Sequence, residues 1–151
     1  MPEQKRHTVV TWEGDLDAGQ GMIIDSSSGM LKDALFTRAS RVEQSNGRMS
    51  PEELLAGAHA QCYIMGLAHI LTNAGTPPEH LTVTAECSLE LTRKGPSITK
   101  MTLRISGRVP DLDAVTFEHV ARKADELCPI SRVLRNNLVF CLETHLEVLG
   151  N

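Results

Sequence analysis

The chain has 151 residues, of which 41% are hydrophobic and 23% charged; this suits one globular domain over residues 1–151 and excludes a disordered or fibrous protein. Lys and Arg number 15 against 19 Asp and Glu, and no basic cluster offsets the net charge of -4, so we do not expect a nucleic-acid-binding surface. No apolar run approaches the ~18 residues of a membrane span, and no secretory signal opens the chain, so we expect no membrane partner and a cytoplasmic location.

The first half of the chain begins with predicted β-structure. β-branched and aromatic residues, separated by Gly- and Ser-rich turns, predict three strands, which are His7 to Trp12, Met22 to Asp25 and Met30 to Thr37. A polar loop is predicted from Arg38 to Met49.

A long apolar helix is predicted after this loop. Ser50 is suited to the N-cap and Pro51 to the first helical position, and good helix formers continue to Asn73. Apolar side chains cover every face of the helix, which is not typical of a surface helix, so we expect it to run through the middle of the structure. One sheet and two flanking helices can hardly cover such a helix, and a symmetric dimer would.

The second half of the chain combines strands and helices. Alternating and helical patterns predict strands at Leu81 to Leu91, Ile98 to Val109 and Leu138 to Val148, and helices at Thr116 to Leu127 and Ile130 to Arg135. Because strands and helices fall in separate runs, the order predicts an α+β fold with mainly antiparallel sheet.

The four cysteines are the candidates for chemistry, since structural disulfides do not persist in the cytosol. Cys62 lies in the apolar helix with His59 one turn earlier, and it is either a small core residue or a thiolate supported by nearby charges. Cys128 precedes a proline at a helix junction, where free amides and the helix dipole favour a thiolate, and a buried structural cysteine is the alternative. Cys87 and Cys141 lie in alternating strands, so we expect both to pack in the core.

Two other cysteine-based sites receive less support. The chain has no CxxC motif, which excludes a local thioredoxin-type dithiol. A zinc site built on His59 and Cys62 with remote ligands is a further alternative, for which one His-x-x-Cys spacing is a weak signal.

Four segments, in order, resemble the OsmC/Ohr family of cysteine-based organic hydroperoxide reductases. TWEGDLDAGQG resembles the family's W-x-G-D opening, and SPEELLAGAHAQCYIMGL resembles the helix that carries its reactive cysteine. SITKMTLRISGRVPDLD resembles the strand and turn that follow, and ADELCPISRVL resembles the segment with the second cysteine. The H-A-x-C and W-E-G-D details favour the OsmC branch.

The resemblance implies an OsmC-like α+β fold, with mainly antiparallel sheet wrapped around the central apolar helix, in an intertwined homodimer with two active sites at the subunit interface. By motif, Cys62 would be the peroxidatic cysteine and Cys128 the resolving one. Glu52 matches the family's active-site glutamate. The family also places an arginine before this helix, for which Arg41 is the best match and Arg38 the alternative.

Helix geometry constrains how Glu52 and Cys62 could share a site. Ten residues of helix rise ~15 Å and leave the two side chains ~80° apart, so they cannot touch in one straight helix. Either the helix bends at Gly57 or the glutamate comes from the other subunit. An arginine could hold the carboxylate and the thiolate together with its fork of donors.

The reaction implied by the resemblance is thiol chemistry without metal or organic cofactor. The Cys62 thiolate would attack an organic hydroperoxide to give a sulfenic acid and an alcohol, Cys128 would form a disulfide with it, and an external dithiol would restore the enzyme. Apolar residues around Cys62 favour a hydroperoxide with a carbon tail. The alternatives are a non-enzymatic thiol redox sensor or ligand-binding stress protein of the same fold, and a structural stress protein whose cysteines all lie in the core.

Overall fold

The computed structural model of the chain describes residues 1–148. The chain divides into two compact units, Met1–Pro51 and Glu52–Asn151. Each unit contains a three-stranded sheet, and the helices between and after the strands complete an α+β architecture. The predicted fold class is confirmed, whereas a single domain over residues 1–151 stays a prediction.

The first unit is built on an antiparallel sheet with strand order β1-β2-β3. Its elements are β1 (Thr8–Glu13), β2 (Gln20–Ser26), β3 (Ala34–Phe36) and the short helix α1 (Arg38–Val42). Gly21 in β2 leaves room for the ring of Phe36 on the neighbouring strand, which a Cβ at this position would displace.

The W-E-G-D segment covers the end of β1 and the start of the turn to β2. The indole Nε1–H of Trp12 donates to the carbonyl of Gly14 at 2.9 Å, and Gly14 has a φ of +89°, which a side chain would strain. The carboxylate of Asp15 accepts from the backbone N–H groups of Ala18 and Asp17, and these bonds lower the pKa of Asp15. The motif therefore has a structural role in this turn.

Two predictions for the first unit are wrong in part. The predicted polar loop begins with helix α1, since the Thr37 hydroxyl accepts from the Ser40 N–H while the Ser40 hydroxyl accepts from the Thr37 N–H. This reciprocal cap lies inside a polar segment that has no apolar periodicity. The third strand is only three residues long, because Asp33 adopts a left-handed conformation with φ of 67° and turns the chain just before it.

The second unit holds a long helix, a sheet and two shorter helices. Its elements are α2 (Pro51–Asn73), β4 (His80–Thr92), β5 (Gly95–Arg108), α3 (Ala114–Leu127), α4 (Pro129–Leu134) and β6 (Val139–Leu146). Strand β5 pairs antiparallel with β4 and parallel with β6. Three of the four strand pairings in the two sheets are thus antiparallel, as predicted, and the β5–β6 pair is the exception.

Helix α2 contributes one buried stripe to the core of the second unit. The stripe repeats every fourth residue and consists of His59, Tyr63, Leu67 and Leu71, which are all fully buried. It packs in one cluster with side chains of β5 and α3, among them Leu103 and Phe117. The other apolar faces of α2 are only partly covered by this chain, and Met65 is 62% exposed.

The predicted lack of a membrane-length apolar segment is wrong for α2. Among residues 1–148, this one helix is long and apolar enough to cross a membrane by length and composition. A buried core helix passes the same test, so the property is weak evidence for a membrane span.

Candidate active site

The second unit brings together two of the predicted site residues, Cys62 and Cys128. Cys62 lies in the middle of α2, and Cys128 both ends α3 and begins α4. Cys62 packs against the core cluster that contains Cys128, the Cys128 side chain acts on the Cys62 thiol, and neither cysteine is in a disulfide. Cys128 is held by its backbone, because its N–H donates to the carbonyl of Ala124 at 2.9 Å and its own carbonyl accepts from Arg132 at 3.0 Å. The arrangement places two thiols where a disulfide could close.

Burial makes Cys62 a weaker acid than an exposed cysteine. The pKa of its thiol is raised chiefly by its partial burial and further by the neighbouring Cys128 side chain. The backbone N–H of Ile130, in the first turn of α4, donates toward the Cys62 sulfur and lowers the pKa, but it only partly offsets the burial. The helix start predicted to assist Cys128 thus presents an amide to Cys62. A fast-reacting Cys62 needs a further positive group nearby.

His59 is part of the buried structure behind the thiols. Its Nε2 forms a 2.7 Å hydrogen bond with the hydroxyl of Ser131 in α4, and its ring lies 5.5 Å from that of Phe140 in β6. Burial lowers the pKa of His59, and the Asp125 carboxylate only partly offsets this effect. A ring that is neutral at pH 7 cannot serve as the cation that activates Cys62.

Glu52 is buried in the first turn of α2, at a distance from Cys62. The helix runs without interruption through Gly57, so the ten residues between the two side chains correspond to a rise of ~15 Å. The negative charge of Glu52 instead acts on Cys87, whose pKa is raised first by burial and then by this carboxylate. Helix α2 is thus unbroken at Gly57, and the two alternatives, a bend at Gly57 or a glutamate from the other subunit, stay predictions.

The arginines predicted before α2 both belong to α1 in the first unit. Arg38 forms an ion pair with Asp17 at 3.4 Å, and Arg41 lies in the last turn of α1. Their expected role at the thiol stays a prediction.

Cys87 and Cys141 face opposite sides of the β4-β5-β6 sheet. Cys87 pairs with Met101 and shares the core face, whereas Cys141 pairs with Thr102 on the other face, next to the core residue Phe140. Both thiols are half-buried. The prediction that both cysteines pack in the core agrees with the core-facing position of Cys87. It is wrong for Cys141, because the alternation of β6 places that side chain on the opposite face.

Metal binding receives no support from the arrangement of ligands in this part of the chain. Within residues 1–148, no group of three His, Cys, Asp or Glu side chains could hold a metal ion. His59 and Cys62 have Ser131 and Cys128 as their neighbours instead.

Two neighbouring cysteines, on a long apolar helix and at a helix junction of an α+β fold, define a candidate dithiol redox protein. The family model described as "OsmC-like protein" matches residues 44–143, well over half of the chain, and we conclude that the chain belongs to the OsmC family. The matched residues contain Glu52, Cys62 and Cys128 but neither Arg38 nor Arg41.

Relatives of known sequence agree with this assignment. The chain is 39% identical to "Peroxiredoxin OsmC" of Escherichia coli K12 over 124 residues, which cover 82% of this chain and 85% of that protein. It is 32% identical to the "Uncharacterized protein YmaD" of Bacillus subtilis over 106 residues, covering 67% and 70% of the two chains. These relationships support a peroxiredoxin-type function linked to oxidative stress.

Solved structures of the OsmC/Ohr fold are similar over nearly the whole chain. The organic hydroperoxide resistance protein OsmC of Legionella pneumophila has a TM-score of 0.69 at 26% identity, covering 91% of this chain and 96% of that one. The organic hydroperoxide resistance protein OhrB of Bacillus subtilis has a TM-score of 0.71 at 25% identity, covering 92% and 98%.

Sequence reasoning missed Ser131 as a member of the site. Ser131 is buried, and its hydroxyl bonds to a residue 72 positions earlier in the chain. The signal was present in the C-P-I-S segment, where the serine follows the second cysteine by three residues and lies one helical turn from it.

Proposed function

We propose that the protein is a cysteine-based peroxidase that reduces organic hydroperoxides to alcohols and is recycled by an external dithiol. The observation that carries this proposal is that Cys62 packs against the core cluster that contains Cys128, where the Cys128 side chain acts on the Cys62 thiol. Two neighbouring thiols can store one oxidation event as a reversible disulfide. The printed names of the relatives, a peroxiredoxin and organic hydroperoxide resistance proteins, agree with this chemistry.

The first step is nucleophilic attack by the Cys62 thiolate on the distal oxygen of the hydroperoxide. A sulfur–oxygen bond forms, the oxygen–oxygen bond breaks, and the alkoxide leaves and takes a proton to become the alcohol. Cys62 is oxidised to a sulfenic acid. The apolar side chains of α2 around Cys62 suit a substrate with a carbon tail.

The second step protects the sulfenic acid, which further peroxide would oxidise irreversibly. The Cys128 sulfur attacks the Cys62 sulfur, the disulfide forms, and the oxygen leaves as water together with the thiol proton. A dithiol then reduces the disulfide by two exchange steps and is itself oxidised to a disulfide. No step needs a metal or an organic cofactor.

The thiolate of Cys62 needs a cation, because burial raises its pKa and His59 stays neutral. We propose Arg41 for this role, with Arg38 as the alternative, and Glu52 as the carboxylate that orients the guanidinium. The continuity of α2 favours a glutamate supplied by the other subunit of a homodimer.

A homodimer is also favoured by the surface of α2. Most of its apolar side chains outside the stripe from His59 to Leu71 are only partly buried by this chain, and Met65 is 62% exposed. A contiguous apolar surface of this kind is typical of an interface. We expect a dimer by sedimentation at micromolar concentration, and a well-folded monomer would contradict both the dimer and the shared site.

A titration of thiols tests the proposed activity. Addition of one equivalent of an alkyl hydroperoxide should remove two titratable thiols per chain and yield one equivalent of alcohol, and a dithiol should restore both thiols over repeated cycles. A sensor would lose the thiols without repeated turnover, and a structural stress protein would keep all four. A cytoplasmic location and the absence of nucleic-acid and membrane partners stay predictions.

A further inference from the structure

Two buried hydrogen bonds lie on either side of Cys62 along α2. Three residues before it, the Nε2 of His59 bonds to the hydroxyl of Ser131 in α4 at 2.7 Å. One residue after it, the hydroxyl of Tyr63 donates to the carbonyl of Ala121 in α3 at 2.7 Å. Both bonds are shielded from water, so each holds its pair of helices in one register.

The same two bonds lie on either side of Cys128. Ala121 precedes it in α3, and Ser131 follows it by three residues in the first turn of α4. The backbone of Cys128 is fixed at this junction, because its N–H and carbonyl both take part in helical hydrogen bonds. The position of its sulfur relative to Cys62 therefore depends on how α4 is fixed against α2, and the His59–Ser131 bond makes that connection.

The surroundings of His59 favour a neutral ring with a defined tautomer. Asp125 is close enough for its charge to act on His59, and it is itself paired with Arg135 at 2.9 Å. Among the described residues, the Nδ1 of His59 and the Oδ1 of Asp125 are both buried without a hydrogen-bond partner. A neutral imidazole has one donor and one acceptor nitrogen, so an Nδ1–H turned toward the carboxylate leaves Nε2 to accept from Ser131.

We propose that His59 and Ser131 are positioning residues that hold Cys128 for attack on the Cys62 sulfur, and thereby control disulfide closure rather than the first oxidation. This inference rests on the proposed function for its place in the cycle. In the step it concerns, the Cys62–Cys128 sulfur–sulfur bond forms and the sulfur–oxygen bond of the Cys62 sulfenic acid breaks. Cys128 is oxidised, Cys62 is reduced, and the thiol proton leaves with the oxygen as water.

The demand on geometry is high because a disulfide bond is short and directional. Its length is about 2.05 Å with a preferred dihedral near 90°, so the two sulfurs must approach from contact along one direction. A displacement of about 1 Å at a reacting centre can cost up to about 100-fold in rate. We expect α4 to shift against α2 when the His59–Ser131 bond is lost, and the sulfur of Cys128 to shift with it.

The experiment separates closure from peroxide chemistry. In a background with Cys87→Ala and Cys141→Ala, the full chain is mixed with an aromatic disulfide, dithiobis-nitrobenzoate, which forms a mixed disulfide at the more accessible Cys62. Attack by Cys128 then releases a second aromatic thiol and closes the protein disulfide, and the rate of this second release is measured. The closure rate is also measured after one equivalent of alkyl hydroperoxide, together with the rate of sulfenic acid formation.

Ser131→Ala should slow closure about tenfold in both reactions and change the rate of sulfenic acid formation less than twofold. His59→Gln keeps a side chain that can bond to Ser131 and should retain most of the closure rate. Asp113→Ala is the matched control, since it removes the α3 N-cap bond to Thr116 at 2.8 Å and so lowers stability without changing the cysteine junction.

The inference is overturned if Ser131→Ala closes at the parental rate, or if Asp113→Ala slows closure as much at an equal loss of stability. The parent protein could fail to react with hydroperoxide while Ser131→Ala still closes slowly in the aromatic disulfide reaction. That result would keep the inference and refute the proposed function. If Ser131→Ala does not fold, His59→Phe and His59→Gln are compared, and equal closure rates in these two variants contradict the proposal.

Discussion

The cysteines of the second unit form two pairs with different geometry. Cys62 and Cys128 come from a helix and a helix junction and are neighbours. Cys87 and Cys141 belong to one sheet, but β5 lies between their strands and they face opposite sides of the sheet. Strands are spaced about 4.8 Å apart, so backbones two strands apart exceed the separation of about 7 Å that a disulfide allows. Two cysteines of one sheet are therefore not a redox pair by location alone. Helix α2 and the junction of α3 with α4 instead place Cys62 and Cys128 next to each other.

The surroundings of the two pairs differ as well. Around Cys62 the neighbours are another thiol and a backbone amide, which can take part in exchange or stabilise a thiolate. Around Cys87 the electrostatic neighbour is the carboxylate of Glu52, which disfavours a thiolate. The chain therefore has one pair suited to reversible oxidation and two thiols that are not paired with each other.

Single cysteine replacements give the largest expected effect. Cys62→Ser should abolish hydroperoxide reduction, whereas Cys128→Ser should perform one attack and then stall with a sulfenic acid on Cys62 that is visible by mass. Cys87→Ser and Cys141→Ser serve as controls and should keep turnover within about twofold, because surface or half-buried polar replacements away from the pair change little. A sulfenic acid on Cys128 in the Cys62 variant, formed at the native rate, would show that the two roles are reversed.

Much of the fold could be predicted because local patterns express it directly. The start of α2 at Pro51, its all-round apolar composition and the strand alternation in β4 and β5 agree with the structure. Helix α1 was missed because its cap, formed by Thr37 and Ser40, is made of polar residues in a polar segment. The parallel pairing of β5 with β6 was missed, although the helical connection through α3 and α4 is the kind of crossover that joins parallel strands.

The candidate site was predictable only in part. The association of Cys62 with Cys128 came from the resemblance to a family, because no local pattern relates residues so distant in the chain. The His59–Ser131 bond could not be predicted for the same reason. It joins residues 72 positions apart, and no local sequence pattern shows that folding brings them together. His59 was expected as a polar partner for the thiol, and the structure uses its Nε2 to connect two helices.

Replacement of the arginines tests whether a guanidinium makes Cys62 more reactive than the other thiols. Arg41→Ala should raise the apparent pKa of Cys62 and slow its alkylation at pH 7, by about tenfold if the pKa rises by about one unit. Arg38→Ala should have a much smaller effect, and stability should change little in either variant. The measurement is the pH dependence of alkylation followed by mass. A larger effect at Arg38 would assign the role to that residue, and no effect at either would exclude activation by α1.

Acid should weaken the structure around the Cys62–Cys128 pair through His59. Because burial lowers the folded-state pKa of His59 below its ordinary value of 6.5, the unfolded chain binds the proton more readily. The stability contributed by the neutral ring is fully present above about pH 6.5 and is lost as the pH falls from there toward the folded pKa. The negative charge of Asp125 raises the pKa of His59 and therefore limits the size of this loss.

The measurement for His59 is the free energy of unfolding between pH 7.5 and 5.0 by denaturant titration. We expect part of the decline to depend on His59, because the unfolded chain takes up this proton at a higher pH than the folded chain does. His59→Gln should flatten that part of the profile, and His119→Gln, on exposed α3 surface, should leave it unchanged. A parallel decline in the parent and His59→Gln would show that His59 does not carry the pH dependence.

The smallest expected effect concerns Cys87 and its neighbour Glu52. Glu52→Gln removes a negative charge that raises the pKa of Cys87, so more of this thiol is ionised at a given pH below the pKa. Alkylation of Cys87 at pH 8 should then be about twofold to threefold faster, because burial, the larger cause of the raised pKa, is unchanged. Cys141, on the other face of the sheet, provides the internal control in the same mass spectrum. An equal acceleration of both thiols would indicate loosening of the sheet instead of a charge effect, and a slower Cys87 would contradict the electrostatic contact.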